Sequence, residues 1–193
     1  MKYIKLLIFF YLSFFIYEKT LADPHIITSL KDGGKLIFIR HALAPGNGDP
    51  DNFDLKNCNT QRNLNNIGIN QSKNIGLFFK KINIPIDQIL TSEWCRCKDT
   101  AKYAFNEFKT FSALNSFYQE KFFKNKKQQM IELGKFINNW KGDKNLILIT
   151  HYVVIEELLN IHTDSGEIAI TDKNLKLIAR IETLQKDFYK EIN

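Results

Sequence analysis

Past residue 22, the apolar residues of this chain fall into two alternating rhythms. Short runs dense in aliphatic and β-branched residues, 35–39 (KLIFI), 86–90 (IDQIL) and 145–149 (NLILI), have the length and composition of buried strands. Between them, apolar positions recur every three or four residues, as on one face of a helix. Asn65 stands where it would cap a helix carrying Ile67, Ile75, Phe78, Phe79 and Ile82, with Pro85 beyond its end. A second helix is predicted over 94–105, a third from Met130, Leu133, Ile137 and Trp140, and a shorter fourth over 153–160. Two late runs, 167–171 and 176–182, read as a closing strand pair. Strand and helix in alternation predict a three-layer α/β/α sandwich with a mostly parallel central sheet.

The first 22 residues follow a different rule. Lys2 and Lys5 precede an apolar run over 6–17 interrupted only by Ser13, and Thr20-Leu21-Ala22 puts small residues where a signal peptidase cuts. The run is too short for the roughly 20 residues a bilayer crossing takes, so an uncleaved anchor is the weaker reading. The pattern predicts a signal peptide over 1–22 cut after Ala22, a secreted or periplasmic location, and a single domain over 23–193 with no membrane span. His25 then falls in a flexible start of the mature chain.

Composition narrows the function classes. With 193 residues, 44% hydrophobic and 25% charged, and only 9 Gly and 4 Pro, the chain is neither disordered nor fibrous. The formal net charge of +6 falls to about +4 once 1–22 is set aside, and without any nucleic-acid module signature that is too mild to argue for DNA or RNA. Lys121, Lys124, Lys126 and Lys127 read first as a solvated helix face and second as a steering field for anions. Cys95 and Cys97 stand too close in sequence to bridge each other easily, so a disulfide from Cys58 to Cys95 or to Cys97 is expected, with three free thiols as the alternative. Four scattered His and no C-x-x-C pair argue against a zinc site, and no metal or cofactor is expected.

Candidate chemistry lies directly after the strands. Ile39 is followed by Arg40-His41, Leu90 by Thr91-Ser92 and then Arg96, and Ile149 by Thr150-His151. Ligand crevices of open α/β sheets lie at the carboxyl ends of strands, so two His and two Arg can converge on one site. Guanidinium forks neutralise phosphate, and a neutral imidazole is a competent nucleophile near pH 7.

The same segments resemble the histidine phosphatase superfamily, the phosphoglycerate mutase-like group. LIFIRHALAPGNGDP is similar to its Arg-His-Gly motif, with Ala42 in place of the glycine. LTSEWCRCKDTA resembles its Ser-x-x-x-Arg-x-x-x-Thr-Ala stretch, LNNIGINQS its turn into a helix, and NLILITHYVVIEEL its second His motif. The resemblance implies a metal-independent phosphatase of small phosphorylated substrates in which His41 takes the phosphoryl group. Arg40 and Arg96 would clamp its oxygens, and His151 would stabilise the transition state. Asn47 falls where several relatives carry a phosphate-binding Asn. Arg62, in QRNLN, is similar to a helix-start position of the short phosphohistidine phosphatase branch, with a structural role at least as well supported.

The departures concern the proton donor. Leu114-Asn115 is followed by Ser116 where the mutase-like branch has Glu, and Tyr152 stands after His151 where the acid phosphatase branch has Asp. Glu120 is the preferred substitute, with Glu93 and Asp49 as the other nearby carboxyl groups. Without a donor, the expected substrates are those with good leaving groups, such as phosphohistidine or phosphoanhydrides. Alternatives are a phosphatase specific for phosphohistidine or an envelope sugar phosphate, and a catalytically impaired pseudophosphatase that binds an anionic ligand. Phe78, Phe79, Phe117, Tyr118, Phe122 and Phe123 read as core, with a lining of the cleft mouth as the second possibility.

Overall fold

In a computed structural model, residues 24–185 and Phe188 are described; the signal segment expected over 1–22 and its expected cut after Ala22 lie outside them. The strands are β1 (Leu36–Arg40), β2 (Ile86–Thr91), β3 (Lys109–Thr110), β4 (Asn145–Thr150), β5 (Ile168–Thr171) and β6 (Leu177–Ile181). They form one sheet in the order β3-β2-β4-β1-β5-β6. The first four in that order run parallel, and β5 and β6 close the sheet antiparallel. The helices are α1 (Pro24–Lys31), α2 (Asn66–Lys81), α3 (Cys95–Phe105), α4 (Glu120–Phe123), α5 (Lys126–Asn139) and α6 (Tyr152–Leu159).

The period of two along each strand produces two cores. Ile37 and Ile39 of β1, Ile147 and Ile149 of β4, and Ile168 and Ile170 of β5 face one layer with Phe78, Phe79, Ala101 and Cys97. Leu36, Phe38, Leu146, Leu148 and Ala169 alternate with them and face the other layer, against Leu133, Ile137, Val154 and Ile155. Burial on both faces is why these strands read as unbroken apolar runs. The expected sandwich is therefore the observed one.

Two details of α2 fix the loops that carry chemistry. The Asn65 side chain accepts from Gly68 N at 2.9 Å, capping the helix as expected. A Cβ on Gly68 would stand 2.1 Å from Leu43 O, so only glycine lets the chain after β1 lie on the helix start.

The structure also departs from the sequence reading. His25, expected in a flexible start, lies instead in α1, whose Ile26 and Leu30 are almost wholly buried in the first core. Asn145 ties the end of this helix down by donating from Nδ2 to Leu30 O at 2.7 Å. Phe78 and Phe79 belong to the core, where they pack on Phe188 and Phe105 respectively. The lysine-rich stretch spans α4 and α5, and two of its members have partners. Lys126 pairs with Glu157 at 2.6 Å, and Lys121 lies over the Phe53 and Phe122 rings.

Candidate active site

The three strands β1, β2 and β4 each run one residue past their expected ends, and this sets the site. Arg40 of β1 is in register with Thr150 of β4, and Thr91 of β2 with Ile149. His41, Ser92 and His151 are therefore the first residues beyond three adjacent parallel strands. Their backbones stay stitched together: His41 N donates to Thr150 O at 2.9 Å and Ser92 N to Ile149 O at 2.9 Å. The two imidazoles meet edge to face with centroids 5.4 Å apart.

Both imidazoles are nearly inaccessible, at 2% exposure each. His41 Nδ1 lies 2.9 Å from Ala42 O, an acceptor only, so Nδ1 carries the proton and Nε2 keeps its lone pair. Burial, and then the Arg96 charge, hold the His41 pKa well below the usual histidine value. The ring is thus neutral at pH 7 and nucleophilic at Nε2. His151 is held neutral by the same two causes in the same order. Its Nε2 lies 2.9 Å from Ser92 Oγ and its Nδ1 3.5 Å from an Arg96 Nη.

Three arginines surround this pair. Arg96, 3% exposed, bonds Asp49 Oδ1 through Nη1 at 2.7 Å. Burial works to raise the Asp49 pKa, but the bonds from Arg96, Arg62 N and Trp94 outweigh it and keep the carboxylate ionised. Arg40 donates to Thr163 O at 2.5 Å and lies 5.2 Å over the Tyr152 ring. The third is Arg62, which donates to Gly48 O at 2.9 Å and to Ala44 O. Its pKa is pushed down to about 10 by burial, then by Arg96, with Arg40 acting in the same direction. Nε of Arg40 and Nε of Arg96 are buried without an acceptor among the described residues. Two unsatisfied cationic donors and a surplus of positive charge suit an anion.

The other predicted residues fall differently. Asn47 is exposed, and its amide donates to the Tyr118 hydroxyl at 3.0 Å rather than joining the arginines. Glu120 is exposed at the start of α4 and has no bond to the histidines or arginines. Glu93 accepts from Asn115 Nδ2 at 2.6 Å. Cys58 is bonded to Cys95, and Cys97 is a free, buried thiol whose pKa burial pushes up to about 12. Tyr118 contacts Tyr152 at 5.8 Å, whereas Phe122 packs on Trp94 and Phe53. Among the described residues no group of three or more His, Cys, Asp or Glu comes together to hold a metal ion.

Sequence reasoning set Arg62 aside and gave Asp49 no part in binding. Arg62 had a signal in the QRNLN segment; the Asp49–Arg96 pair spans 47 residues between a loop and a helix and leaves no periodic trace.

No protein-family model matches the sequence, and no curated protein sequence matches it. Solved structures do match in fold. One is the protein histidine phosphatase SixA complexed with tungstate, at TM-score 0.51 and 14% identity, covering 78% of this chain and 97% of that one. Another is SixA of Agrobacterium tumefaciens, at TM-score 0.52 and 19% identity over 77% of this chain and 97% of that one. A third is a phosphoserine phosphatase of Entamoeba histolytica in complex with phosphoserine, at TM-score 0.52 and 18% identity over 77% and 97%. The fold is thus that of the histidine phosphatases, the phosphoglycerate mutase-like sandwich.

Proposed function

We propose that the protein is a metal-independent phosphatase acting through a covalent phosphohistidine on His41. The observation that carries this reading is His41 itself: a neutral, buried imidazole with Nδ1–H committed to Ala42 O and Nε2 free, among arginines with unsatisfied donors. His41 Nε2 attacks phosphorus as the bond to the leaving group breaks. Water then breaks the P–N bond and returns the ring to its neutral state. Arg40, Arg62 and Arg96 neutralise the phosphoryl oxygens, and His151 stabilises the charge that develops on them.

The substrate class follows from the carboxyl groups. Asp49 is ionised and committed to Arg96, Glu93 is turned to Asn115, and Glu120 is exposed. None supports a strong proton donor, so the reading favours leaving groups that depart without one, such as the imidazole of a phosphohistidine or the phosphate of an anhydride. The Cys58–Cys95 disulfide supports an oxidising, extracytoplasmic location.

The test is release of inorganic phosphate from phosphomonoesters of graded leaving-group pKa and from an acyl and a histidyl phosphate, beside His41→Ala. Release that favours good leaving groups and vanishes in the variant is expected. Binding of phosphate with no release from any compound would replace the enzyme with an anion-binding pseudophosphatase.

A further inference from the structure

Behind His151 lies a chain of hydrogen bonds that ends on a carboxylate. Ser92 Oγ is 2.9 Å from His151 Nε2 and 3.1 Å from Asn115 Oδ1. Asn115 Oδ1 also accepts from Glu93 N at 2.8 Å, and Asn115 Nδ2 donates to Glu93 Oε2 at 2.6 Å. Because a backbone N–H only donates and a carboxylate only accepts, Glu93 fixes the orientation of the Asn115 amide from both ends. The amide oxygen must then face Ser92, so the serine proton points to Asn115. That leaves the Ser92 oxygen to accept from His151 Nε2; the Cys97 Sγ, 3.5 Å from Nε2, directs its own S–H to Thr150 O at 3.7 Å and so leaves the donor role to the ring. On the other side of the ring an Arg96 Nη, which can only donate, lies 3.5 Å from Nδ1. Both ends therefore require one tautomer, with the proton on Nε2 and a lone pair on Nδ1.

We propose that Glu93 and Asn115 are positioning residues that set the tautomer of His151 through Ser92. The inference rests on the phosphoryl pocket proposed above. The consequence for that pocket is specific. Nδ1 beside Arg96 can accept a proton carried in by a monoanionic phosphate ester, and Ser92 and Asn115 already hold Nε2–H as the ring becomes an imidazolium. The carboxylate absent from position 116 thus has a counterpart one bond away from Asn115. It acts through the histidine and not on the leaving group.

The test is nitrogen-15 NMR of the histidine-labelled protein at neutral pH, with the His151 signals assigned by their absence in His151→Ala. The wild-type protein should show a protonated Nε2 and a bare Nδ1. Asn115→Ala frees the serine proton to turn to the ring and should move the population toward the Nδ1–H tautomer. Glu93→Ala should give a mixture, and Glu93→Gln, whose amide oxygen can still accept from Asn115, should keep the wild-type signature. Should Asn115→Ala fail to fold, the half-buried Glu93 carries the test. An unchanged tautomer in Glu93→Ala, or an Nδ1–H tautomer in the wild type, would overturn the proposal. In turnover, the loss of kcat/KM in Glu93→Ala should be the same for every leaving group. A loss that deepens as the leaving-group pKa rises would make Glu93 a proton donor and contradict a positioning role. The NMR arm needs no turnover, so an inactive protein would defeat the phosphatase reading and leave this one standing or falling by itself.

Discussion

Arg96 is the residue on which the pocket's charge balance turns. After burial it is the largest charge acting on both imidazoles, and its Nε is buried without an acceptor among the described residues. Arg96→Ala should lower kcat/KM by roughly 100- to 1,000-fold, the cost of one preorganised donor to a developing oxyanion. Asp49→Asn should weaken the same reaction by loosening the arginine, and steady-state kinetics on one substrate compares the two. Both histidines also give a pH signature. Their folded pKa values lie well below the usual 6.5, so the unfolded chain binds protons there that the native protein does not. Stability is fully present above about pH 6.5 and is lost as pH falls below it, by up to about 1.4 kcal/mol per histidine per pH unit. A Tm falling between pH 6.5 and 5, and falling less with saturating phosphate, is the expected result. Differential scanning calorimetry across that range, with and without phosphate, checks it.

α1 joins the core through Leu30, which is 0% exposed, so Leu30→Ala should cost roughly 2–5 kcal/mol by denaturant melting. This helix is not legible in the sequence because it is short and directly follows the signal-like run, where periodicity over eight residues carries little weight. The main strands and long helices were legible because their apolar spacing reports burial directly. The loop between β1 and α2 was not, since long-range pairings hold it. The Cys58–Cys95 disulfide ties it to the start of α3, next to Arg96. Reduction releases a cross-link spanning 37 residues and should lower stability by about 4 kcal/mol on chain entropy alone. Because the loop carries Asp49 and Arg62, phosphate affinity should fall with it. Isothermal titration of phosphate with and without reductant measures that loss.

At the scale of the whole molecule, the fold brings three ordered segments, far apart in the chain, to the carboxyl ends of parallel strands. That is why Arg40, His41, Arg96 and His151 could be named from sequence: each lies on or just after a strand, or one turn into the helix that follows. Arg62 and the Glu93–Asn115 pair could not be placed in the same way, because their positions depend on how loops fold over the strand ends. Among the described residues no helix is long and apolar enough to cross a membrane. In the proposed reaction the sheet is the rigid floor on which an anion meets the neutral imidazole of His41.

In the proposed mechanism a phosphoryl group is carried on His41. Rapid acid-free quenching of the protein during turnover of a histidyl or aryl phosphate, followed by mass mapping of the peptide containing Arg40-His41, tests it most directly. An alkali-stable, acid-labile phosphate on His41 that is absent from His41→Ala is the predicted result. Turnover with an unmodified His41 would contradict the account.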